Sequence, residues 1–143
     1  LKGLAEGGHA PETARVSDLL PIILSNDPEA AWQRVGPHLL HQLNSYRQGA
    51  LQGTGLEGPP PLTLEDLRDP DAEDTRGLLD ILTPEDAAVR IGELTAGLPV
   101  RHLIFWASIA GMPDDLVAEN IELVTERLPP LLAAGPAAGP APR

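Results

Sequence analysis

Cysteine is absent from this chain, which excludes disulfide bonds, thiolate metal sites and catalysis by a thiol. Its absence also fits a reducing compartment. Aromatic residues make up only 3% of the 143 residues, so a hydrophobic core has to be built from Leu, Ile, Val and Ala. Basic residues are few, with 10 Lys and Arg against 21 Asp and Glu, and the formal net charge is -11. Because such a charge repels phosphate groups and anionic lipid surfaces, we expect neither nucleic acid nor a membrane as a partner.

Long hydrophobic runs are also missing. No apolar run approaches the roughly 20 residues needed to cross a bilayer, and residues 1–6 lack the apolar centre of a secretion signal. We therefore expect a cytoplasmic protein. The length is typical of one domain, and a first residue that is Leu rather than Met suggests part of a longer protein.

Two short apolar runs are present, at residues 15–25 and 103–107. Neither run alternates between polar and apolar residues, which is typical of strands covered on both faces in a parallel sheet. Pro21 interrupts the first run, and because proline has no N–H to donate, it favours an edge or a bulge there.

Each apolar run leads into a helix pattern. Asp27 and Pro28 are typical of a helix start, as is Pro113 with the acidic residues that follow it. Thr83 and Pro84 predict the start of an additional helix between the two units.

The last helix carries an apolar stripe that we expect to be buried. Its members are Val117, Ile121, Val124 and Leu128. Pro129 and Pro130 cannot continue the hydrogen-bond ladder, so the helix should end near residue 127 or 128.

This alternation of strand and helix predicts an α/β fold with parallel strands and right-handed crossovers. It consists of two strand-helix units, an extra helix and a long loop. The loop covers residues 48–76, and its length is typical of either a functional lid or a disordered segment. Residues 133–143 are small and rich in proline, so we expect a disordered tail.

Four segments contain most of these signals: SDLLPIILSNDPEAAW, GPHLLHQLNSYRQ, GLLDILTPEDAAVRIGEL and VRHLIFWASIAGMPDDLVAENIEL. Together they resemble the C-terminal part of the luciferase-like flavin-dependent monooxygenases, and the likeness extends over residues 1–132. Members of that family are (β/α)8 barrels, which need about 250 residues. The resemblance therefore implies a C-terminal fragment of a (β/α)8 TIM barrel that contains its last two strands with their helices.

The resemblance also implies an activity. The complete enzyme would use reduced flavin (FMN), or a deazaflavin coenzyme, to oxygenate or reduce a small organic substrate, with dioxygen as the partner of the oxygenating members. The contacts to the flavin phosphate and most catalytic residues of the family belong to strands that would precede residue 1. We therefore expect this chain to be inactive alone and to contribute a pocket wall.

In such barrels the chemistry lies at the carboxyl ends of the strands. The candidate pocket-wall residues at these positions are Ser25, Asn26, Trp106, Ser108, Ile109 and Met112. Each also has a simpler interpretation. Trp106 is more often plain packing, Asn26 fits a helix cap, and Ser108 has no neighbouring base that would make it a nucleophile.

No metal site is predicted. His38 and His41 are three residues apart on a helix and could reach one ion, but two ligands without a third favour a solvated helix face. The carboxylates of the long loop do not match the spacing of a calcium loop. They are Asp69, Asp71, Glu73 and Asp74.

The alternative hypothesis is a small acidic helical protein-interaction module without catalysis. In it the helices at residues 32–46 and 117–128 bind a partner, and the apolar runs are helical core. An extended backbone at residues 103–107 would favour the α/β fold instead. The barrel-fragment hypothesis has a further consequence. A fragment would leave strand edges unpaired, and these would favour self-association or a homodimer.

Overall fold

The computed structural model describes residues 2–10, 14–69 and 79–134. It is a mixed α/β structure with short parallel strands, as the sequence predicts. The regular elements are α1 (Lys2–Glu6), β1 (Val16–Leu20), β2 (Ile22–Leu24), α2 (Pro28–Leu51), β3 (Asp80–Leu82), α3 (Pro84–Thr95), β4 (Val100–Phe105), α4 (Asp114–Glu122) and α5 (Leu128–Ala134).

The strands form two parallel pairs. β1 pairs with β4, and β2 pairs with β3. The predicted single strand at residues 15–25 is therefore two strands, and Pro21 lies at the break. Proline has no N–H for a ladder, but the carbonyl of Pro21 accepts a hydrogen bond from the N–H of Asp80 at 2.8 Å and so begins the second pair. The predicted parallel arrangement of the two apolar runs is confirmed.

β4 pairs with β1, and the short strand β3 pairs with β2. The parallel pair of β1 and β4 is the one that two consecutive strands of a (β/α)8 barrel would form, and β3 is an additional short strand that lies between them in the chain. Each described sheet has two strands, and the barrel fragment is not seen in the described part of the chain.

Helices cover both faces of the chain around β2. On one face the buried residues Leu20, Ile22 and Leu24 pack with α3 and with Leu123 and Leu128. On the other face Ile23 packs with α2 and with residues that follow β4. The prediction that both apolar runs are covered on both faces holds for β2, but it is wrong for β1, where residues 17–19 are exposed, and for β4, where Ile104 is 51% exposed.

The predicted helix starts are confirmed. The side chain of Asp27 accepts the N–H of Ala30 at 3.0 Å, and Pro28 occupies the first position of α2. The Thr83 hydroxyl accepts the N–H of Asp86 at 3.2 Å at the start of α3. Each side chain satisfies a backbone donor that the helix itself cannot pair.

The predicted end of the last helix is wrong. A π-helical turn over Leu123–Arg127 follows α4, and α5 then continues to Ala134. In that turn the N–H of Leu128 bonds to the carbonyl of Leu123, five residues earlier. Pro129 and Pro130 therefore lie in the first turn of a new helical segment, where their missing N–H groups cost little.

The predicted buried stripe of this helix is also partly wrong. Ile121 is 45% exposed, whereas Leu116, Asn120 and Leu123 are buried. A polar residue thus replaces an apolar one at the centre of the face, and Asn120 is only 1% exposed.

Asn120 is buried because its amide bonds to three backbone groups. Its Oδ1 accepts the N–H of Leu24 at 2.8 Å, and its Nδ2 donates to the carbonyls of Trp106 and Ala107, each at 3.0 Å. A buried amide with such partners avoids the cost of desolvation. The side chain therefore fastens α4 to the ends of both β2 and β4.

The long loop begins later than predicted, because α2 extends to Leu51. The amide of Asn44 exchanges two hydrogen bonds with the backbone of Leu62, at 2.8 and 3.0 Å. Arg68 forms a two-pronged ion pair with Glu29 at 2.6 and 3.0 Å. Residues 52–69 are thus held along α2, and residues 70–78 lie outside the described part.

The predicted disordered tail covers residues 133–143. Residues 133–134 end α5, and residues 135–143 of the predicted tail lie outside the described residues.

Residues 100–105 are extended and paired, so the all-helical core of the alternative hypothesis is wrong. No helix in the described ranges is both long and apolar enough to cross a membrane.

Replacement of Asn120 by Ala should destabilise the fold by about 2 to 4 kcal/mol, because it leaves the buried N–H of Leu24 and two carbonyls without partners. Urea unfolding followed by circular dichroism measures this loss. Glu122→Ala, on the exposed side of the same helix, is the control and should change stability by less than about 0.5 kcal/mol. Equal small effects of both changes would contradict the role of Asn120.

The ion pair between α2 and α4 makes a second prediction. Arg34 donates two hydrogen bonds of 2.7 Å to Asp115, and these lower the pKa of Asp115 below its ordinary value of 3.8. A carboxyl whose folded pKa is lowered stabilises the fold at higher pH, and this contribution disappears as the pH falls through the folded pKa.

The melting temperature should therefore fall more steeply below about pH 4 in the parent chain than in Asp115→Asn. Asp114→Asn is the matched control, since it removes a neighbouring charge from the same helix start. It should retain the steep acid dependence. The difference should also shrink in high salt, because the pair is exposed.

Candidate functional site

A cleft of about 470 Å³ lies between the second half of α2 and the segment that follows β4. Its size is within the usual range for small-molecule sites, about 300 to 1,000 Å³. The lining residues are His41, Gln42, Ser45, Tyr46, Trp106, Ser108, Ile109 and Ala110. The cleft therefore lies at the carboxyl end of a parallel strand.

The wall after β4 is held at both ends. Asn120 fixes its first two carbonyls, at Trp106 and Ala107. Further on, Ile109 and Met112 are 5% and 7% exposed and anchor the segment in the core beside α2. The N–H of Met112 bonds to the carbonyl of Ile109 at 3.1 Å, which closes a tight turn between them.

Gly111 allows this turn to approach α2 closely. Its φ is +83°, in the left-handed region that favours glycine. A Cβ at this position would lie 2.5 Å from Nδ1 of His38. The backbone of the loop therefore packs directly against the imidazole of His38.

The polar groups of the cleft are mostly committed to neighbours on α2. Ser45 donates its hydroxyl to the carbonyl of His41 at 2.8 Å, and Nε2 of Gln42 donates to the hydroxyl of Tyr46 at 3.2 Å. The exception is Oε1 of Gln42, which is buried and has no hydrogen-bond partner among the described residues. A buried acceptor without a donor is a cost to the fold, and because this atom is enclosed by the protein it is not offered to the cleft.

The cleft carries no formal charge on its walls. None of its lining residues is Asp, Glu, Lys or Arg. The polar and aromatic groups of the walls are two aromatic rings, one amide, three hydroxyls and one imidazole. The arrangement offers ring contacts and hydrogen bonds, and it lacks a carboxylate that could act as a general base.

Three of the predicted pocket-wall residues come together in this cleft: Trp106, Ser108 and Ile109. Met112 is instead part of the core beneath it. Ser25 and Asn26 are bound by α4, where Ser25 donates its hydroxyl to Glu119 at 3.2 Å and Asn26 donates its amide at 2.6 Å. These two residues form a corner between β2 and α2.

The α2 side of the cleft was not predicted from the sequence. The Gln42–Tyr46 pair has the spacing of neighbours on one helix face, but this spacing does not tell which strand end the helix meets. Tyr46 is 65% exposed.

The histidines do not gather at one point. His38 packs against Gly111, whereas His41 lines the cleft. Within the described ranges no group of three or more metal-ligating side chains is found. Asp71, Glu73 and Asp74 of the acidic run lie outside those ranges.

Gly111→Ala should destabilise the fold by about 1 to 3 kcal/mol, because it adds both backbone strain and a clash with His38. Gly97→Ala is the control, since Gly97 has a φ of +71° and open space around it. Gly97→Ala therefore measures the cost of backbone strain alone, without the clash that Gly111→Ala adds. Adding His38→Ala to Gly111→Ala should recover part of the loss, as measured by thermal unfolding. A purely additive double variant would contradict the contact.

No known family model matches the chain, and a search of curated proteins found no match. The function of the cleft is therefore inferred from its own residues and from the resemblance of the four segments.

Proposed function

We propose that the chain is the C-terminal part of a luciferase-like flavin-dependent monooxygenase, and that its cleft forms a wall of the pocket for the flavin ring and a small organic substrate. Two independent lines support this. The four segments resemble the family over residues 1–132, and the cleft lies where such enzymes hold their reactants.

One observation carries the proposal. The sequence predicts Trp106, Ser108 and Ile109 as pocket-wall residues because they follow the carboxyl end of a strand, and in the structure they line one cleft. Carboxyl ends of parallel strands are the usual binding edge in barrels and in open doubly wound sheets alike. The location of the site is therefore independent of the strand order.

The strand pairs set a requirement for the proposed barrel. The last two strands of the barrel would be the interrupted strand β1–β2 and β4, and β1 pairs with β4 in parallel as such neighbours do. The other edge of β4 would then have to pair with a further strand of the complete enzyme, and β3 would be an addition beside β2.

The residues of the cleft fit one part of the cofactor. The faces of Trp106 and Tyr46 suit a flat ring, but the walls carry no cation for a phosphate. When bound, reduced flavin would supply the electrons that activate dioxygen, and a deazaflavin coenzyme would supply hydride. The chain itself would orient the ring through Trp106 and exclude water there through the buried side chain of Ile109.

Binding of flavin to the complete gene product tests this function. Oxidised FMN and a deazaflavin coenzyme are titrated separately, with the quenching of tryptophan fluorescence as the readout. One of the two should quench strongly in Trp32→Phe, which keeps Trp106. The quenching should be mostly lost in Trp106→Phe, because Trp32 contacts Arg68 and α2 instead of the cleft.

The two variants also separate two ways in which the proposal can fail. A complete gene product that binds neither coenzyme would overturn the flavin-dependent function. Binding with the same quenching in both variants would keep a flavin protein but remove Trp106 from the pocket wall.

A further inference from the structure

A second cleft, of about 430 Å³, lies between α3, the first half of β4 and α5. Its volume is within the usual range for small-molecule sites. It shares no lining residue with the candidate site, which lies at the other end of β4. Most of its walls are formed by aliphatic residues, which are Ala88, Ile91, Val100, Leu103, Leu131 and Leu132. The proposed function leaves this second cleft unused.

These walls restrict the apolar part of a ligand. No aromatic ring of the described residues lines the second cleft, so a flat ring has no partner to stack against. Leu and Ile side chains pack instead against a flexible hydrocarbon chain, and each apolar group that leaves water there favours binding. We therefore expect an aliphatic ligand in place of an aromatic one.

One charged residue lines the second cleft in the described part of the chain, and it is Arg101. The guanidinium of Arg101 forms no ion pair with a carboxylate of the described residues. Four other arginines do form such pairs, namely Arg34, Arg68, Arg90 and Arg127. Arg101 is therefore available to an anionic ligand, in a chain where 21 acidic residues outnumber 10 basic ones.

A β-bulge brings Arg101 to the second cleft. In the pairing of β1 with β4, Val16 lies opposite Val100 and Ser17 lies opposite His102, so Arg101 is an extra residue. Successive residues of a regular strand point to opposite faces, yet Val100 and Arg101 both line the second cleft. Bulges redirect side chains in this way and are frequent next to active sites. The backbone thus supports the same conclusion as the charge.

We infer that the second cleft binds an aliphatic carboxylate, with its hydrocarbon chain along the apolar walls and its carboxylate group on Arg101. A guanidinium holds a carboxylate through two parallel hydrogen bonds. One arginine balances one negative charge, so a doubly charged phosphate would keep an excess charge beside a protein of net charge -11. The inference does not depend on the proposed function, because the two clefts have no residue in common.

Three probes of equal carbon number test the inference: octanoate, octanol and octylammonium. Isothermal titration calorimetry measures their affinities, and shifts of the Ile91 and Leu131 methyl signals in NMR locate the site. Octanoate should bind at least about threefold more tightly than octanol, because the exposed Arg101 adds a modest charge attraction. A purely apolar cleft would prefer octanol, and attraction to the overall charge would prefer octylammonium. Either of these orders would overturn the inference.

Two variants assign the preference to Arg101. Arg101→Gln removes the charge and should lower the affinity for octanoate to that for octanol or below it. Arg101→Glu reverses the charge and should make octylammonium bind more tightly than octanoate. Arg90→Gln is the matched control, since Arg90 pairs with Asp80 and Glu93 outside the second cleft, and it should keep the preference for octanoate. Circular dichroism shows that each variant is folded.

Other occupants of the second cleft give different results. If residues 135–143 of this chain occupy it, octanoate will bind only after these residues are deleted. If a second copy of the chain occupies it, octanoate will fail to bind, and Leu132→Asp will dissociate a dimer that sedimentation detects. Each of these results overturns the carboxylate site, as does an unchanged affinity for octanoate in Arg101→Glu.

Discussion

The amide of Asn120 is the interaction on which the rest of the structure depends. The two short sheets share no ladder with each other in the described residues, and each has only two strands. Asn120 bonds to the end of β2 in one sheet and to the chain just after β4 in the other. The hydrogen bonds of this one side chain thus link the two sheets, as backbone hydrogen bonds would do in a wider sheet. The side chain belongs to α4.

Glu119 extends this junction by one residue. Its carboxylate accepts hydrogen bonds from the hydroxyl of Ser25 and from the backbone and side chain of Asn26. The corner between β2 and α2 is therefore fixed by the same turn of α4 that fixes the end of β4. Both walls of the cleft, α2 and the segment after β4, are positioned relative to α4, which makes the cleft a largely preformed site.

Much of the local structure could be predicted from the sequence, because it depends on neighbouring residues. The caps at Asp27 and Thr83 and the extended runs follow from short-range chemistry. The parallel pairing of the two apolar runs could be predicted as well, whereas the break of the first run into two strands and the pairing of β2 with β3 could not, because they depend on which segments meet in the fold. The face of α4 was missed for a related reason. Ile121 and Asn120 differ in polarity, and only the tertiary partners of the Asn120 amide explain why the polar residue is the buried one.

The two sides of the cleft also differ in whether the sequence predicts them. The β4 side of the cleft could be predicted, because a general rule places ligands at the carboxyl ends of parallel strands. The α2 side could not, because no sequence signal tells that residues four turns into a helix meet a loop more than sixty residues away.

The π-helical turn at Leu123–Arg127 changes the direction in which side chains point around the helix axis between α4 and α5. In a regular α-helix, residues five apart point about 140° away from each other, so Leu123 and Leu128 could not both reach α3. The wider turn brings them into the same cluster, where they are 4% and 1% exposed. The extra residue of the π turn thus keeps the apolar sides of α4 and α5 on the same neighbour, and the two consecutive prolines lie in the first turn of α5, where a helix does not need their N–H groups.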